Sequence, residues 1–221
     1  MVTIPLPPVS YRSLVCGPDF ESTFEEIGRS VVDQLKQYDM VGAGTVFLDV
    51  GCGCGRVARF LMAEPIAVYA GFDRHPGMIA WCTEVLAPRD SRFCFEYVSV
   101  KSVYDHWDAA AGEIDADRFA FPYAPERFDS VLLASVLTHM PLHEVRHYLH
   151  EVKRVLRPGG RVLLSAFFSD TRPLLMHDIN FFHDPHEFLA AVADAGLTAR
   201  ADSPHLLYGY QHNWYVLTHA E

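Results

Sequence analysis

The stretch FLDVGCGCGRVARFL, residues 47–61, carries the residue types best suited to chemistry. Gly51, Gly53 and Gly55 follow a short apolar run, and the acid Asp49 lies just before them. Glycines at the end of a strand permit positive φ and let a ligand approach the main chain closely. A helix beginning there turns unpaired N–H groups toward the same spot. Such a turn cradles a nucleotide-derived cofactor. A dinucleotide fingerprint needs G-x-G-x-x-G, but its third glycine would fall at Arg56, and the spacing present is G-x-G-x-G. That spacing, with an acid inside the strand end, favours S-adenosylmethionine (SAM) over a nicotinamide dinucleotide. A second acid, Asp73, closes the next apolar run, AVYAGFD.

His139, in SVLTHMP, is the first candidate for a general base. It follows a strand end, and an unperturbed imidazole titrates near neutrality. The competing reading is a cap or packing histidine that shapes the cofactor pocket. Asp105 and His106, in VYDHW, are weaker candidates, and a solvated loop is the simpler reading of both. Residues 143–147 spell His-Glu-Val-Arg-His, a literal H-E-x-x-H. The apolar residues of that helix, Leu142, Val145, Leu149, Val152 and Leu156, form one stripe at about 100° per residue. His143 and His147 fall nearly opposite and should face water, which argues against a metal pocket. Cys52 and Cys54 are too close together, and too bound up with the glycine turn, for a zinc knuckle. No metal is expected.

The elements that must position these residues alternate. Residues 1 to about 20 are rich in proline and read as an irregular arm against the domain. Phe24, Ile27, Val31 and Leu35 then recur at helical spacing within a helix from Phe20 to Tyr38. Strands are expected at TVFLDV, AVYAGFD, FCFEYVSV, FDSVLLASVL and RVLLSAFF, with two more in the tail at 199–208 and 213–218. Helices are expected at RVARFLMAE, GMIAWCTEVL, HEVRHYLHEVKRVL and DPHEFLAAVADAGL. The last has Asp184 as N-cap, Pro185 at its first position and Gly196 as its stop. This alternation implies an α/β fold, a mostly parallel sheet wound on both faces, with ligands at the carboxyl ends of the strands.

Four blocks now point the same way. FLDVGCGCGRVARFL resembles the first motif of the class I SAM-dependent methyltransferases. GFDRHPGMIAWC is similar to the segment after their second strand, FPYAPERFDSVLLASVLTHMP to their fourth-strand region, and HYLHEVKRVLRPGGRVLLS to their E-x-x-R-V-L-K-P-G-G helix and fifth strand. The resemblance implies a Rossmann-like three-layer sandwich with a seven-stranded sheet, and SAM turned over to S-adenosylhomocysteine. It implies that Asp49, Gly51, Cys52 and Gly53 surround the methionine moiety and that Asp73 accepts from the ribose. It also implies that Arg74 and Met78 flank the adenosine and that Ala134 and Ser135 floor the site near the sulfonium. The family often places an Asp after the third strand. Here that stretch is VSVKSVYD, with Ser99 and Ser102 and no such Asp, so the adenine contacts in it stay open, with a part for the N–H of Val100.

Length and composition set the frame. The 221 residues suit one domain, with an arm and helix over 1–40 and a SAM-binding core over 41–221. A segment of about 170–184, rich in large apolar residues, is either a lid above the strand ends or a short helix that completes the core. The acceptor pocket is expected between Tyr11, Arg12, His139, Phe181 and Tyr208. A net charge of −10 repels phosphate backbones, which makes nucleic acid a poor partner and leaves a small-molecule acceptor. Five cysteines, two of them in the glycine turn, make no disulfide framework and suit a reducing cytoplasm. Neither a signal peptide nor a membrane span is legible. A cytoplasmic monomer or homodimer is expected. The alternative is a SAM-binding scaffold of the same fold without catalysis.

Overall fold

A computed structural model describes residues 4–17, 20–106, 112–169, 174–176, 179–201, 205–207 and 210–220. They pack as two compact units, one running up to Val98 with 207–209, the other from Ser99 onward. A doubly wound fold is assembled from two such halves.

In the first unit, β1 (Val46–Val50) pairs in parallel with β2 (Val68–Asp73), and β2 with β3 (Phe93–Tyr97). β1 is buried almost throughout, as a continuous apolar run predicts. The register sets Phe47, Tyr69 and Phe93 side by side. Their rings stack at 6.0 and 4.7 Å between centroids, a cross-strand aromatic ladder. Arg92 closes this unit. Its guanidinium donates to the carbonyls of Met62, Glu64 and Ile66 and pairs with Asp90.

The helix expected from Phe20 begins instead with a 3-10 turn, and α2 runs Phe24–Gln37 with Phe24, Ile27, Val31 and Leu35 buried. The arm is not irregular throughout. It contains α1 (Val9–Cys16), started by Pro8, whose carbonyl accepts from the N–H groups of Tyr11 and Arg12. The helix after the glycine turn shortens to α3 (Ala58–Leu61). α4 (Pro76–Trp81) passes into a π-type turn, Cys82–Leu86.

In the second unit the strand order is β4 (Phe128–Leu133), β5 (Leu156–Phe168), β10 (Tyr210–His219), β8 (Leu197–Ala201). β4 and β5 are parallel, whereas β10 is antiparallel to β5 and to β8. α5 (Leu142–Val155) buries Val145, Leu149 and Val152, the expected stripe. α6 (Pro185–Asp194) is capped as read, with Asp184 accepting from His186 and Glu187 N–H and Gly196 at φ 74°. The described part of the segment 170–184 is neither a free lid nor a helix. β6 (Leu174–Met176) pairs antiparallel with β7 (Asn180–His183), and β7 lies parallel to the end of β5. Phe182 of β7 stacks on Phe167 at 5.0 Å. β9 (His205–Leu207) runs beside β10.

Candidate functional site

The glycine turn leaves β1 with Gly51, Gly53 and Gly55 all at positive φ, so the spacing serves backbone geometry first. The N–H groups of Gly51 and Cys52 donate to the Phe72 carbonyl, which ties the turn to the end of β2. The Gly53 N–H donates to Asp73 Oδ2 at 2.8 Å, and the His75 N–H to Asp73 Oδ1 at 2.8 Å. One carboxylate therefore fixes both loops. Burial pushes the Asp73 carboxyl up, opposed by those two donors. His75 caps α4, its Nδ1 accepting from Met78 N–H at 3.2 Å.

Asp49 is 3% exposed, and its Oδ2 accepts from the Tyr69 hydroxyl at 2.7 Å. Burial raises its carboxyl to about 7, against the Tyr69 hydrogen bond and the charge of Arg56, while Asp73 adds to the rise. Gly71 makes this contact possible. A Cβ there would stand 2.9 Å from the Tyr69 hydroxyl and 3.0 Å from Cys52 Cβ. Tyr69 and His75 escaped the sequence reading. The available signal was Tyr69 two positions before a strand glycine, on the same face of β2.

α1 lies on this turn. Val15 Cγ2 is 3.1 Å from where a Gly53 Cβ would be, and Val15 and Tyr11 pack with Cys16, Phe24, Cys54 and Met78. Three arginines hold the arm through its carbonyls: Arg12 on Pro7 and Glu21, Arg56 on Val15, Arg59 on Ile4. Tyr11 meets His75 edge-on at 5.3 Å, beside Gly77. Tyr11 thus belongs with the residues after β2, and Arg12 is engaged by its own arm. Burial pushes the thiols of Cys16, Cys52, Cys54 and Cys82 up, so they stay protonated and weakly nucleophilic at neutral pH.

The other expected site residues lie in the second unit. Val100 is buried and bridges to Ile114. Ala134 and Ser135 follow β4, and Ser135 has φ 61° with its N–H on Ser165 Oγ at 2.9 Å. His139 ends a 3-10 turn, Leu137–His139, where its Nδ1 meets the Ile179 carbonyl at 2.8 Å and its Nε2 the Tyr104 hydroxyl at 3.0 Å. Burial pulls this imidazole below the usual histidine range, the Ile179 contact acting in the opposite direction. Asp105 spends its carboxylate on Ser102 N–H at 3.1 Å. Phe181 is half-buried on β7. Tyr208 lies outside the described residues, as does the side-chain environment of His106.

His147 does not face water as the stripe suggested. It is half-buried, and its Nε2 meets the Phe119 carbonyl at 2.8 Å, because a loop packs along that side of α5. His143 is exposed. The H-E-x-x-H pair is thereby split between a carbonyl cap and the surface. Among the described residues, no group of three or more His, Cys, Asp or Glu is placed to hold a metal, and no helix is long and apolar enough to cross a membrane.

Residues 48–164 match the family model described as a methyltransferase domain, and the chain belongs to the class I SAM-dependent methyltransferases. The 27-O-demethylrifamycin SV methyltransferase of Amycolatopsis mediterranei is 29% identical over 151 residues, 67% of this chain and 48% of that protein. The ubiquinone/menaquinone biosynthesis C-methyltransferase UbiE of Syntrophotalea carbinolica is 29% identical over 142 residues, 64% of this chain and 51% of its own length. The chain thus spans about half the length of these relatives. Among solved structures, the Burkholderia thailandensis 1,6-didemethyltoxoflavin-N1-methyltransferase, with its substrate and S-adenosylhomocysteine bound, has a TM-score of 0.64. It is 20% identical and is matched over 100% of this chain and 94% of that one, which shows the shared fold.

SAM is the cofactor of this class, and the donor set of the first unit suits it. A buried acid answers an ammonium, a carboxylate at the end of β2 answers vicinal hydroxyls, and a main-chain turn without side chains answers a close approach.

Proposed function

We propose that the chain transfers the SAM methyl group to a hydroxyl of a small-molecule acceptor and releases S-adenosylhomocysteine. Bound SAM supplies a methyl already activated on a positive sulfur, so position and electrostatics fall to the protein. In this reading Asp49 holds the methionine ammonium beside Gly51, Cys52 and Gly53. Asp73 takes the ribose hydroxyls, Arg74 and Met78 flank the adenosine, and Val100, Ala134 and Ser135 complete the cofactor contacts. In this reading Phe181 bounds the acceptor.

The observation that carries the hydroxyl assignment is His139. A carbonyl oxygen only accepts, so His139 donates from Nδ1 to Ile179 and keeps its lone pair on Nε2. Burial keeps the ring neutral at pH 7. A neutral imidazole held in one tautomer is equipped to take a proton. Hydroxyl acceptors need that service, and carboxylate acceptors do not.

The test is transfer of tritium from [methyl-³H]SAM to catechol, 1,4-dihydroxynaphthalene, octanoate and aniline, with SAM binding followed by calorimetry. Methylation of a hydroxyl probe is expected. His139→Ala should lower kcat about 100-fold and leave the SAM Kd within about twofold, since a base acts on the acceptor. Turnover of octanoate alone, or a His139→Ala enzyme as fast as the parent, would overturn the hydroxyl reading. Absence of binding heat at millimolar SAM would overturn the methyltransferase reading itself.

A further inference from the structure

We propose that His183 is a positioning residue for His139, holding the turn that carries the base so that its imidazole stays in one place and one tautomer. The inference rests on the proposed hydroxyl methylation and gives a task to a buried histidine that the reaction does not otherwise use. It follows from where two hydrogen bonds of one strand land. The His139 Nδ1–H is given at 2.8 Å to the carbonyl of Ile179, the residue before β7. At the other end of β7, the His183 Nε2 lies 3.2 Å from the carbonyl of Leu137, the first residue of the turn Leu137–His139. A carbonyl oxygen only accepts, so His183 donates from Nε2. The two ends of β7 thus grip the turn twice, at its first residue through the His183 side chain and at its last through the Ile179 carbonyl.

His183 is fixed well enough to act as a support. Its main chain lies on the end of β5, paired with Phe168, and its carbonyl accepts the Ser169 N–H at 3.0 Å. Asp184 follows at once as the N-cap of α6, and the Phe188 ring of that helix stands 5.8 Å from the imidazole between centroids. The residue is 3% exposed, and burial pulls its imidazole below the usual histidine range, against the Leu137 contact. A neutral ring on a paired strand delivers a directed N–H without adding a charge beside the base. The turn needs such a donor. Its own Met140 N–H reaches the Leu137 carbonyl at 3.4 Å, long for a hydrogen bond. Leu137 and Thr138 are fully buried, which keeps bulk water from serving in its place.

The consequence for the base is geometric. A single bond at Nδ1 lets the imidazole swing about the Ile179 oxygen. A second hold on the main chain, two residues earlier, fixes the Cα from which the ring hangs, and with it the direction of the Nε2 lone pair. A misplacement of about 1 Å at a reacting group can cost on the order of 100-fold in rate. The stretch INFFH, 179–183, therefore carries both holds on the base.

The test replaces His183 by leucine, which keeps bulk and removes the donor, and by glutamine, whose Nε2 stands as many bonds from Cβ as the histidine's. With catechol as probe, His183→Leu should lower kcat about 10-fold and leave the catechol KM and the SAM Kd within about twofold. His183→Gln should bring kcat back to within about threefold of the parent, because the donor returns. By ¹⁵N NMR, His139 should be protonated at Nδ1 and unprotonated at Nε2 in the parent and in His183→Gln, and should populate both tautomers in His183→Leu. An undiminished kcat in His183→Leu, or a His139 tautomer that the substitution leaves unmoved, overturns the proposal. A SAM affinity that falls in step with kcat also overturns it, since that marks general damage to the fold. A His183→Gln protein as impaired as His183→Leu does the same, since packing and not the N–H would then be the support. Should His183→Leu not fold, His183→Gln decides alone: a kept tautomer and kcat support the donor, and their loss overturns it. Should the parent methylate no hydroxyl probe, or His139→Ala work as fast as the parent, the failure belongs to the hydroxyl reading, and the tautomer still decides whether His183 holds the turn.

Discussion

Cofactor binding should become tighter as pH rises from 6 to 7, and Asp49 should be the reason. Its carboxyl lies near 7, and burial is the main cause. An unfolded aspartate titrates near 3.9, so the folded value is raised. The stability contribution of the protonated acid is then fully present below about pH 4 and is lost as pH climbs through about 7. Without ligand, the fold favours a neutral Asp49. A methionine ammonium placed against it favours the ionised form. Binding therefore draws on the ionised fraction, which is about one in eleven at pH 6 and one half at pH 7 for a group titrating at about 7. The Kd should fall about fivefold over that interval, or ~1 kcal/mol, with proton release on binding. Calorimetry in two buffers of different ionisation enthalpy measures both. Asp49→Asn should bind weakly and without that slope. Tyr69→Phe should move the transition to higher pH, since the hydroxyl at 2.7 Å is the donor that favours the ionised carboxylate. A wild-type Kd that is flat or rises over this interval would refute the placement of the ammonium at Asp49.

Two further outcomes concern the frame. Arg92→Met removes the donors to the Met62, Glu64 and Ile66 carbonyls, and should lower stability by about 2 kcal/mol in urea unfolding. A change under ~0.5 kcal/mol would mean that water replaces the arginine. Ser135 sits at φ 61°, where a side chain is strained and glycine is not. Ser135→Gly should therefore leave stability unchanged or raise it by about 1 kcal/mol, whereas a marked loss would show that its side chain is needed.

What the sequence disclosed was what chain neighbours decide. The glycine turn is local, since positive φ at Gly51, Gly53 and Gly55 follows from residue type at the end of one strand. The stripe of α5 and the caps of α6 are local too, because helical geometry brings i, i+3 and i+4 together whatever surrounds them. α1 was not legible, because its eight residues carry no stripe and its support comes from Arg56, 41 positions beyond Val15. The segment 170–184 misled for a related reason. Large apolar residues in a connection show only that something must cover them, and for Phe182 of β7 that partner is Phe167 at the end of β5. The histidine pair on α5 failed at one member, where Phe119 supplies a carbonyl that no periodicity reports.

The two tyrosines make the sharper case. Neither stands out by type, and in both the ring does pack. Their hydroxyls, however, find partners 20 and 35 positions away, Asp49 and His139. In each pair the partner was named from sequence and the tyrosine was not, because the acid and the imidazole are conspicuous by type while a phenol acquires its role only from its neighbour. Those neighbours control what the named residues can do. Tyr69 acts on the pH at which Asp49 ionises, and the Tyr104 hydroxyl meets His139 at Nε2. A list of candidate residues read from sequence therefore identifies the groups that titrate. The protonation state in which they work is set first by burial and then by partners that only the fold brings to them.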